Sequence, residues 1–321
     1  MGRLDEVRGE ILPVINELAW GYRVPGMVGT CLLPVRKVPK MKTKIPKFGK
    51  EHFKLFKTLR GLGAKSNRLP VDSKSTITLA TEEHDAEYPI DYLEGQEAPD
   101  ELSLRKHAAF RAKTAVALEM EAEIAEKAQN LDNYLDDNKK TLTLTDKWSD
   151  YENSDPEGDI ETARDVIADA IGEEMNTMVM DRTTYKILRK HPVIKAELSD
   201  SERKVVTVDM LKEILEIPNI YVGRSYYIPD DGDADSSFVP LWQDCCIFAY
   251  VPEPPADITI DSIEDVGVPA WGYTIQRQGY PMTFEYAEGA KLTLVNYTDN
   301  YQVNIVGQGA AYILKGTGVA A

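Results

Sequence analysis

The longest uninterrupted pattern of apolar and polar positions runs from Asp100 to Gln129, a stretch that contains neither glycine nor proline and is rich in alanine. This composition favours a helix, which at about 1.5 Å per residue would be roughly 45 Å long. The preceding Pro99 and the acidic first turn are typical of a helix start. One side carries apolar residues at helical spacing, namely Leu104, Ala108, Ala115, Leu118, Ala122 and Ala125. We therefore predict a long helix that packs closely through small side chains.

The segments before this helix lack a pattern that could form a core of their own. Residues 1–30 begin with a short amphipathic pattern that Pro13 interrupts, and glycines then break up any regular element. Residues 31–95 contain short β-like pieces, separated by turns and by a long polar stretch. We expect an arm and an extended loop that lie against another part of the protein or against another subunit.

After the helix, the pattern changes to shorter elements. Residues 140–148 alternate leucine with threonine, which predicts a strand. Residues 160–255 alternate helices with short apolar strands, as in a compact α/β unit. Within this unit we predict two helices that are capped by Asp181 and Asp209, because aspartate is a favoured residue at helix starts.

Two further strands of the α/β unit, 220–228 and 241–251, are predicted to form a hairpin around an acidic, turn-rich connection. A proline-rich segment then leads to residues 270–321, which alternate like antiparallel strands. Strands thus flank the α/β unit on both sides in sequence. The simplest α+β arrangement inserts this unit into a second domain, in which residues 100–150 and 270–321 pack together.

The charge of the chain limits its partners. It carries 37 Lys and Arg residues against 53 Asp and Glu residues, a net charge of −16 at pH 7. Such a balance argues against a surface that wraps nucleic acid. The N-terminus is charged and no apolar run approaches the roughly 18 residues that span a membrane, so we expect neither a secretion signal nor a membrane partner. Cys31, Cys245 and Cys246 form no disulfide framework and indicate reduced thiols in a cytosolic setting.

Charges are segregated before the long helix. From Arg36 to Lys74 they are cationic except for Glu51 and Asp72, whereas every charge from Glu82 to Glu101 is negative. Such blocks can pair across subunits, although two solvated faces would show the same pattern, and phenylalanines among the cations also suit a nucleic-acid-binding module. Our hypothesis is that the basic segment docks on the acidic segment of a neighbour, through Lys40, Lys42, Lys44, Lys47, Lys50, Lys54, Lys57, Glu82, Glu83, Asp85, Glu87, Glu94 and Glu97.

The sequence contains no catalytic motif. Its four histidines have no metal-ligand spacing, and neither a nucleophile elbow nor a phosphate loop is present. Asp231, Asp233 and Asp235 have the opening spacing of a calcium loop, but Ser236 and Trp242 stand where that loop needs glycine and glutamate. We predict no catalytic residue, no cofactor and no metal. An acidic hydrolase with two carboxylates across a cleft is the alternative from another class.

In their order, the segments resemble the major capsid proteins of tailed double-stranded-DNA phages, those with the Hong Kong 97-type fold. Each stretch alone is a weak signal, whereas the set covers most of the chain in the family's order. The resemblance is carried by residues 30–129, with the loop and the alanine-rich helix; by Trp148-Ser149-Asp150, Asp155-Pro156 and Ile160; by Asn176–Met180, Tyr185, Leu188 and His191-Pro192; and by 239–252, Gly272-Tyr273-Thr274 and Gly279-Tyr280-Pro281.

The resemblance implies a subunit with four parts. They are an N-terminal arm (1–30), an extended loop (31–95), a peripheral domain (96–155 and 270–321) that contains the long helix, and an axial domain (156–269). It also implies a structural protein, not an enzyme, whose hexamers and pentamers form the icosahedral head around the phage genome after assembly in the host cytoplasm. Scaffolding, portal and decoration proteins would be separate partners. A cellular nanocompartment shell of the same fold is the nearest alternative.

Overall fold

The computed structural model describes residues 10–11, 26–46, 55–56, 58–60, 65–68, 76–97, 101–198, 206–229, 237–252, 270–289 and 291–318. Its helices are α1 (Gly29–Leu32), α2 (Tyr92–Glu97), α3 (Glu101–Gln129), α4 (Pro156–Ile171), α5 (Arg182–Leu188), α6 (Pro192–Ala196) and α7 (Val208–Ile214). Its strands are β1 (Glu10–Ile11), β2 (Val35–Val38), β3 (Lys42–Pro46), β4 (Thr76–Ala80), β5 (Glu82–Asp91), β6 (Lys139–Thr141), β7 (Thr177–Asp181), β8 (Asn219–Gly223), β9 (Tyr226–Tyr227), β10 (Val239–Pro240), β11 (Cys245–Ala249), β12 (Gly272–Arg277), β13 (Met282–Glu288), β14 (Leu292–Ile305) and β15 (Ala311–Lys315).

The first sheet is organised around β14, a strand of 14 residues. β5 pairs antiparallel with β14 along one edge, while β13 and then β12 follow one another along the other edge. β2 extends the sheet beyond β12 in parallel, and β1 pairs with β13. The long helix α3 contacts both β14 and β5, so it lies across one face of this sheet.

The long helix was predicted correctly, but its buried side differs from the predicted one. Ala115 is exposed, and Leu118 and Ala122 are only half-buried. The difference arises because alanine defines the phase of an apolar pattern poorly, whereas Val116 and Ile124, which are fully buried, set the true phase. The buried positions are Ala108, Ala109, Ala112, Val116, Glu121, Ile124, Ala125 and Ala128.

The second sheet has the order β6-β15-β11-β7-β8 and forms the centre of the α/β unit. β15 pairs antiparallel with β11, and β6 pairs in parallel with β15. Residues 139–141 and 311–315, which the sequence placed in a domain with the long helix, are therefore hydrogen-bonded into the sheet of the α/β unit. Pairing between segments so distant in the chain leaves no local signature, because each strand only needs to be apolar.

Two predicted β elements are wrong in detail. The strand expected at 140–148 ends at Thr141, since Leu142 is buried whereas Leu144 is 86% exposed and has a φ of 51°. The strands at 220–228 and 241–251 do not form one hairpin, because β8 and β11 both pair with β7, which lies between them. Only β9 and β10, two residues each, form a short antiparallel pair.

Of the two helix caps predicted in the α/β unit, one is confirmed and one is corrected. Asp181 caps α5 as expected, since its carboxylate accepts hydrogen bonds from the Thr183 and Thr184 backbones. The α7 helix is instead capped by Thr207, whose hydroxyl accepts from Met210 N at 3.4 Å, and Asp209 lies inside the first turn. Both residue types favour cap positions, so the sequence could not decide between two candidates two residues apart.

The core is shared between the two sheets and α3. A continuous apolar cluster links the α3 residues Val116 and Ile124 to the centre of the second sheet at Val179 and Ile247. A smaller cluster, which includes Val38, Leu79, Tyr273 and Ile275, connects the ribbon formed by β3 and β4 to the first sheet. Among the described residues, no helix is both long and apolar enough to cross a membrane.

Candidate assembly surfaces and buried carboxylates

The acidic strand β5 presents three of its carboxylates on one face. Glu83, Asp85 and Glu87 are exposed, whereas His84 and Tyr88 point to the opposite face, where they contact Glu119 and His107 of α3. Side chains on the same face of a strand are about 7 Å apart. Glu83, Asp85 and Glu87 therefore form an evenly spaced row of carboxylates, which we call the acidic row.

The carboxylates of the acidic row accept hydrogen bonds from neutral side chains. Asn296 Nδ2 donates to Asp85 Oδ2 at 3.2 Å and to Glu87 Oε1 at 3.3 Å, and the hydroxyl groups of Tyr286 and Tyr280 donate to Glu87 and Glu83. Within the described part of the chain, none of the three carboxylates forms an ion pair. The described residues therefore leave the negative charge of the row without a neutralising cation, and the row can attract a cationic partner.

The basic segment is described only at its start. Lys40 and Lys42 are exposed, and Lys44 lies in β3. This start lies beside the acidic strand of the same chain, because Thr81 N donates to Met41 O at 2.9 Å. The exposed Lys42 nevertheless forms no ion pair with the described acidic residues. Lys47, Lys50, Lys54 and Lys57 lie outside the described residues.

The remaining acidic candidates lie at the two ends of the acidic strand. Glu82 begins β5 and is exposed, and Glu94 is exposed in α2. Glu97 ends α2. Glu82, Glu83, Asp85, Glu87 and Glu94 thus lie exposed along one continuous segment of the chain, and among the described side chains none of them forms an ion pair with Lys42.

Glu121 of α3 is a buried carboxylate that sequence reasoning missed. It is only 2% exposed, and it accepts hydrogen bonds from Val28 N at 2.9 Å, Gly29 N at 2.8 Å and Trp242 Nε1 at 2.8 Å. Ser225 Oγ donates a longer bond of 3.4 Å. These donors belong to the segment before α3 and to the α/β unit, so one carboxylate joins three parts of the chain.

Asp299 of β14 is a second buried carboxylate and is 3% exposed. Both of its oxygens accept from Gln276 Nε2 at 2.9 Å, and Oδ1 also accepts from Asn300 N at 2.8 Å. Burial raises the pKa of Asp299 to about 6, although these hydrogen bonds and the nearby His84 and Lys37 act in the opposite direction. Asp299 lines a cavity of about 230 Å³ between α3 and the first sheet.

Ser154 and His191 come together in the fold but cannot act as a nucleophile and its base. Ser154 Oγ lies 3.1 Å from His191 Nε2, while His191 Nδ1 accepts from Val193 N at 3.3 Å and thereby caps α6. Because Nδ1 is an acceptor, Nε2 of the neutral ring must carry the proton. Ser154 Oγ in turn donates to Asp150 O at 2.6 Å. The imidazole therefore has no free acceptor for a serine proton, and the pair is structural.

The buried carboxylates and thiols have no catalytic arrangement either. Asp181 uses its oxygens to cap α5, and the oxygens of Glu121 and Asp299 are occupied by the donors described above. All three cysteines are free, and burial raises the pKa of Cys245 to about 12. Across the described ranges, no group of three or more His, Cys, Asp or Glu side chains has a geometry that could hold a metal ion. The alternative of an acidic hydrolase gains no support from this geometry.

Comparison with known proteins gives matches over nearly the whole chain. The model of the family described as phage major capsid protein E matches residues 129–271. The major capsid protein of Burkholderia phage BcepMu is 40% identical over 316 residues, which cover 98% of this chain and 99% of that protein.

Two solved structures are similar in fold. A phage-related protein from Bordetella bronchiseptica RB50 has a TM-score of 0.79 and 27% identity, covering 98% of this chain and 99% of that one. A virus-like particle from Pyrococcus furiosus has a TM-score of 0.55 and 12% identity, covering 93% and 95% of the two chains. The second likeness shows the fold alone. The expected Hong Kong 97-type α+β fold is confirmed.

Proposed function

The chain belongs to the family of phage major capsid proteins, and from this premise we propose that its copies associate as hexamers and pentamers into the icosahedral head that encloses the double-stranded DNA genome. The family is structural, not enzymatic, and its members are components of the virion capsid. The observation that carries the proposal is the 40% identity to a phage major capsid protein over almost the full length of both chains.

We propose the same four parts for this subunit as the resemblance implies. Residues 1–30 form the arm, 31–95 the extended loop, 96–155 and 270–321 the peripheral domain, and 156–269 the axial domain. Contact of α3 with β14 supports the grouping of 96–155 with 270–321. The strands β6 and β15 are exceptions, because they complete the sheet of the axial part.

We further propose that the basic segment of one copy, from Lys40 to Lys57, docks on the acidic segment of a neighbour. One observation supports this contact, namely that the acidic row is exposed and lacks a cation among the described residues. An exposed ion pair contributes less than about 1 kcal/mol, so several pairs must act together.

The first experiment tests the shell itself. The purified full-length protein is examined by sedimentation and negative-stain electron microscopy at several protein and salt concentrations. Shells, tubes, or rings of five and six subunits support the proposal. A monomer at every concentration, both alone and in lysate of phage-producing cells, would contradict it.

The second experiment tests the contact by charge reversal. Replacing Lys42, Lys44 and Lys47 with Glu should prevent or weaken assembly, and replacing Glu83, Asp85 and Glu87 with Lys should do the same. The combination of both sets restores opposite charges and should recover assembly. Reversal of the exposed cations Lys106 and Arg111 on α3 is the matched control. Unchanged assembly and salt dependence in both single sets would disprove the contact while leaving the shell proposal intact.

A further inference from the structure

Glu121 occupies a position that otherwise belongs to apolar residues. It lies in the buried side of α3 between Val116 and Ile124, which are both fully buried. A carboxylate without partners would be strongly unfavourable there, because burial removes its hydration. The hydrogen bonds from Val28, Gly29, Trp242 and Ser225 replace that hydration. Glu121 is therefore compatible with the core only while these donors stay in place.

Two of these donors are backbone groups at the point where the N-terminal arm joins the folded subunit. Val28 and Gly29 lie at the start of α1, and a Cβ atom at Gly29 would lie only 2.7 Å from Glu121 Oε2 and 2.9 Å from Ile124 Cγ2. The absence of a side chain thus allows the backbone to approach the carboxylate directly. On the other side, Arg224 N donates to Gly26 O at 3.1 Å. Residues 26–29, which we call the arm root, are consequently held between α3 and the α/β unit.

A second attachment lies further towards the N-terminus. The strand β1 pairs with β13 at the edge of the first sheet, where Glu10 is opposite Glu285 and Ile11 is opposite Phe284. Among the described residues before α1, the chain is therefore attached to its own subunit at two places, β1 and the arm root.

We propose that Glu121 is the positioning residue of the arm root: its carboxylate holds the backbone of Val28 and Gly29 against α3 and so fixes the place at which the N-terminal arm joins the folded subunit. A side-chain amide cannot do this equally well, because its NH₂ group would face backbone or indole N–H donors. This attachment is a property of the single subunit and does not depend on the proposed shell.

The test measures release of the arm in the unassembled full-length subunit. Trypsin can cleave after Arg23, which precedes the arm root. We expect Glu121→Gln to raise the rate of this cleavage roughly tenfold, because a buried hydrogen-bonding group loses its partner. Gly29→Ala, which displaces the arm root and leaves the carboxylate in place, should have the same effect. It also provides a second measurement if Glu121→Gln does not fold.

A control variant separates positioning from general stability. Gln129→Ala removes the bonds from α3 to Leu241 O and Gln243 N and touches neither Glu121 nor the arm root. It should lower the free energy of unfolding and leave cleavage after Arg23 unchanged. The proposal is overturned if Gln129→Ala accelerates this cleavage as much as Glu121→Gln, or if neither Glu121→Gln nor Gly29→Ala accelerates it. Because the readout needs no shell, it is independent of whether the wild-type protein assembles.

Discussion

Replacing Asp299 with Asn should make the subunit more stable at neutral pH. The Asp299 carboxyl group lies between α3 and the first sheet and is 3% exposed, and burial raises its pKa to about 6. Gln276 of β12 and Lys113 and Glu121 of α3 line the same cavity. Lys37 of β2 and His84 of β5 act on the carboxylate electrostatically. Asn keeps the shape of the side chain but cannot ionise. Its Oδ1 can still accept from Asn300 N, and a flip of the Gln276 amide lets the Gln276 oxygen accept from the new NH₂ group.

The magnitude follows from the two pKa values. The native state binds the proton more tightly than the unfolded state, in which the pKa has its ordinary value of 3.8. The contribution of Asp299 to stability is therefore fully present below about pH 4 and is lost as the pH rises through 6. Each unit of difference between the two pKa values corresponds to about 1.4 kcal/mol. Ionised Asp299 therefore lowers the free energy of unfolding by about 3 kcal/mol at pH 7.

Urea unfolding of the unassembled subunit between about pH 4 and pH 8 measures this effect. The free energies of unfolding of Asp299→Asn and wild type should coincide near pH 4 and diverge above it, until the variant is more stable by up to about 3 kcal/mol. The control is Asp165→Asn on α4, which removes an exposed carboxyl group and should leave the curve nearly unchanged.

Two results would refute the reasoning. A variant that is less stable than wild type at pH 7 would mean that the carboxylate accepts hydrogen bonds worth more than its burial costs. A constant difference over the whole pH range would mean that the effect comes from packing and not from ionisation.

Three other changes test local features of the fold. Leu144→Asn should raise the free energy of unfolding by about 1 kcal/mol in urea titrations, because asparagine tolerates the positive φ of this exposed position better than leucine does; a loss of stability would contradict this. Thr207→Ala should lower the free energy of unfolding by about 1 kcal/mol through loss of the α7 cap. A change below a few tenths of a kcal/mol would show that the cap is dispensable. Cys245 and Cys246 should react with a thiol reagent only on unfolding, since burial raises the pKa of both thiols; rapid reaction of either in the folded subunit would contradict their burial.

The long helix shows how much of the structure can be predicted from the sequence. Its existence and ends follow from composition and flanking residues, because a stretch without glycine or proline has few alternatives. Its buried side was misjudged because alanine occurs on every face and Glu121 interrupts the true apolar side. A carboxylate three residues before Ile124 reads as an ordinary surface charge until its donors are known, and those donors lie far away in sequence.

The pairing of strands shows a different limit. The apolar segments that became β7, β11 and β15 were recognised as strands, yet their neighbours in the sheet were not, since side-chain pattern records burial but not the identity of the partner strand. The acidic row was visible as composition, and only the alternation along β5 shows which carboxylates share a face. The docking of the basic segment on that row stays a prediction.

The position of β15 within the second sheet has a consequence for synthesis. β15 is made after every other strand of that sheet, yet it lies between β6 and β11 and provides their common partner. Because a chain emerges from the ribosome N-terminus first, the sheet cannot close until translation has passed Lys315. A nascent chain, or one terminated before Ala311, therefore lacks the strand that joins β6 to β11 and leaves this sheet incomplete.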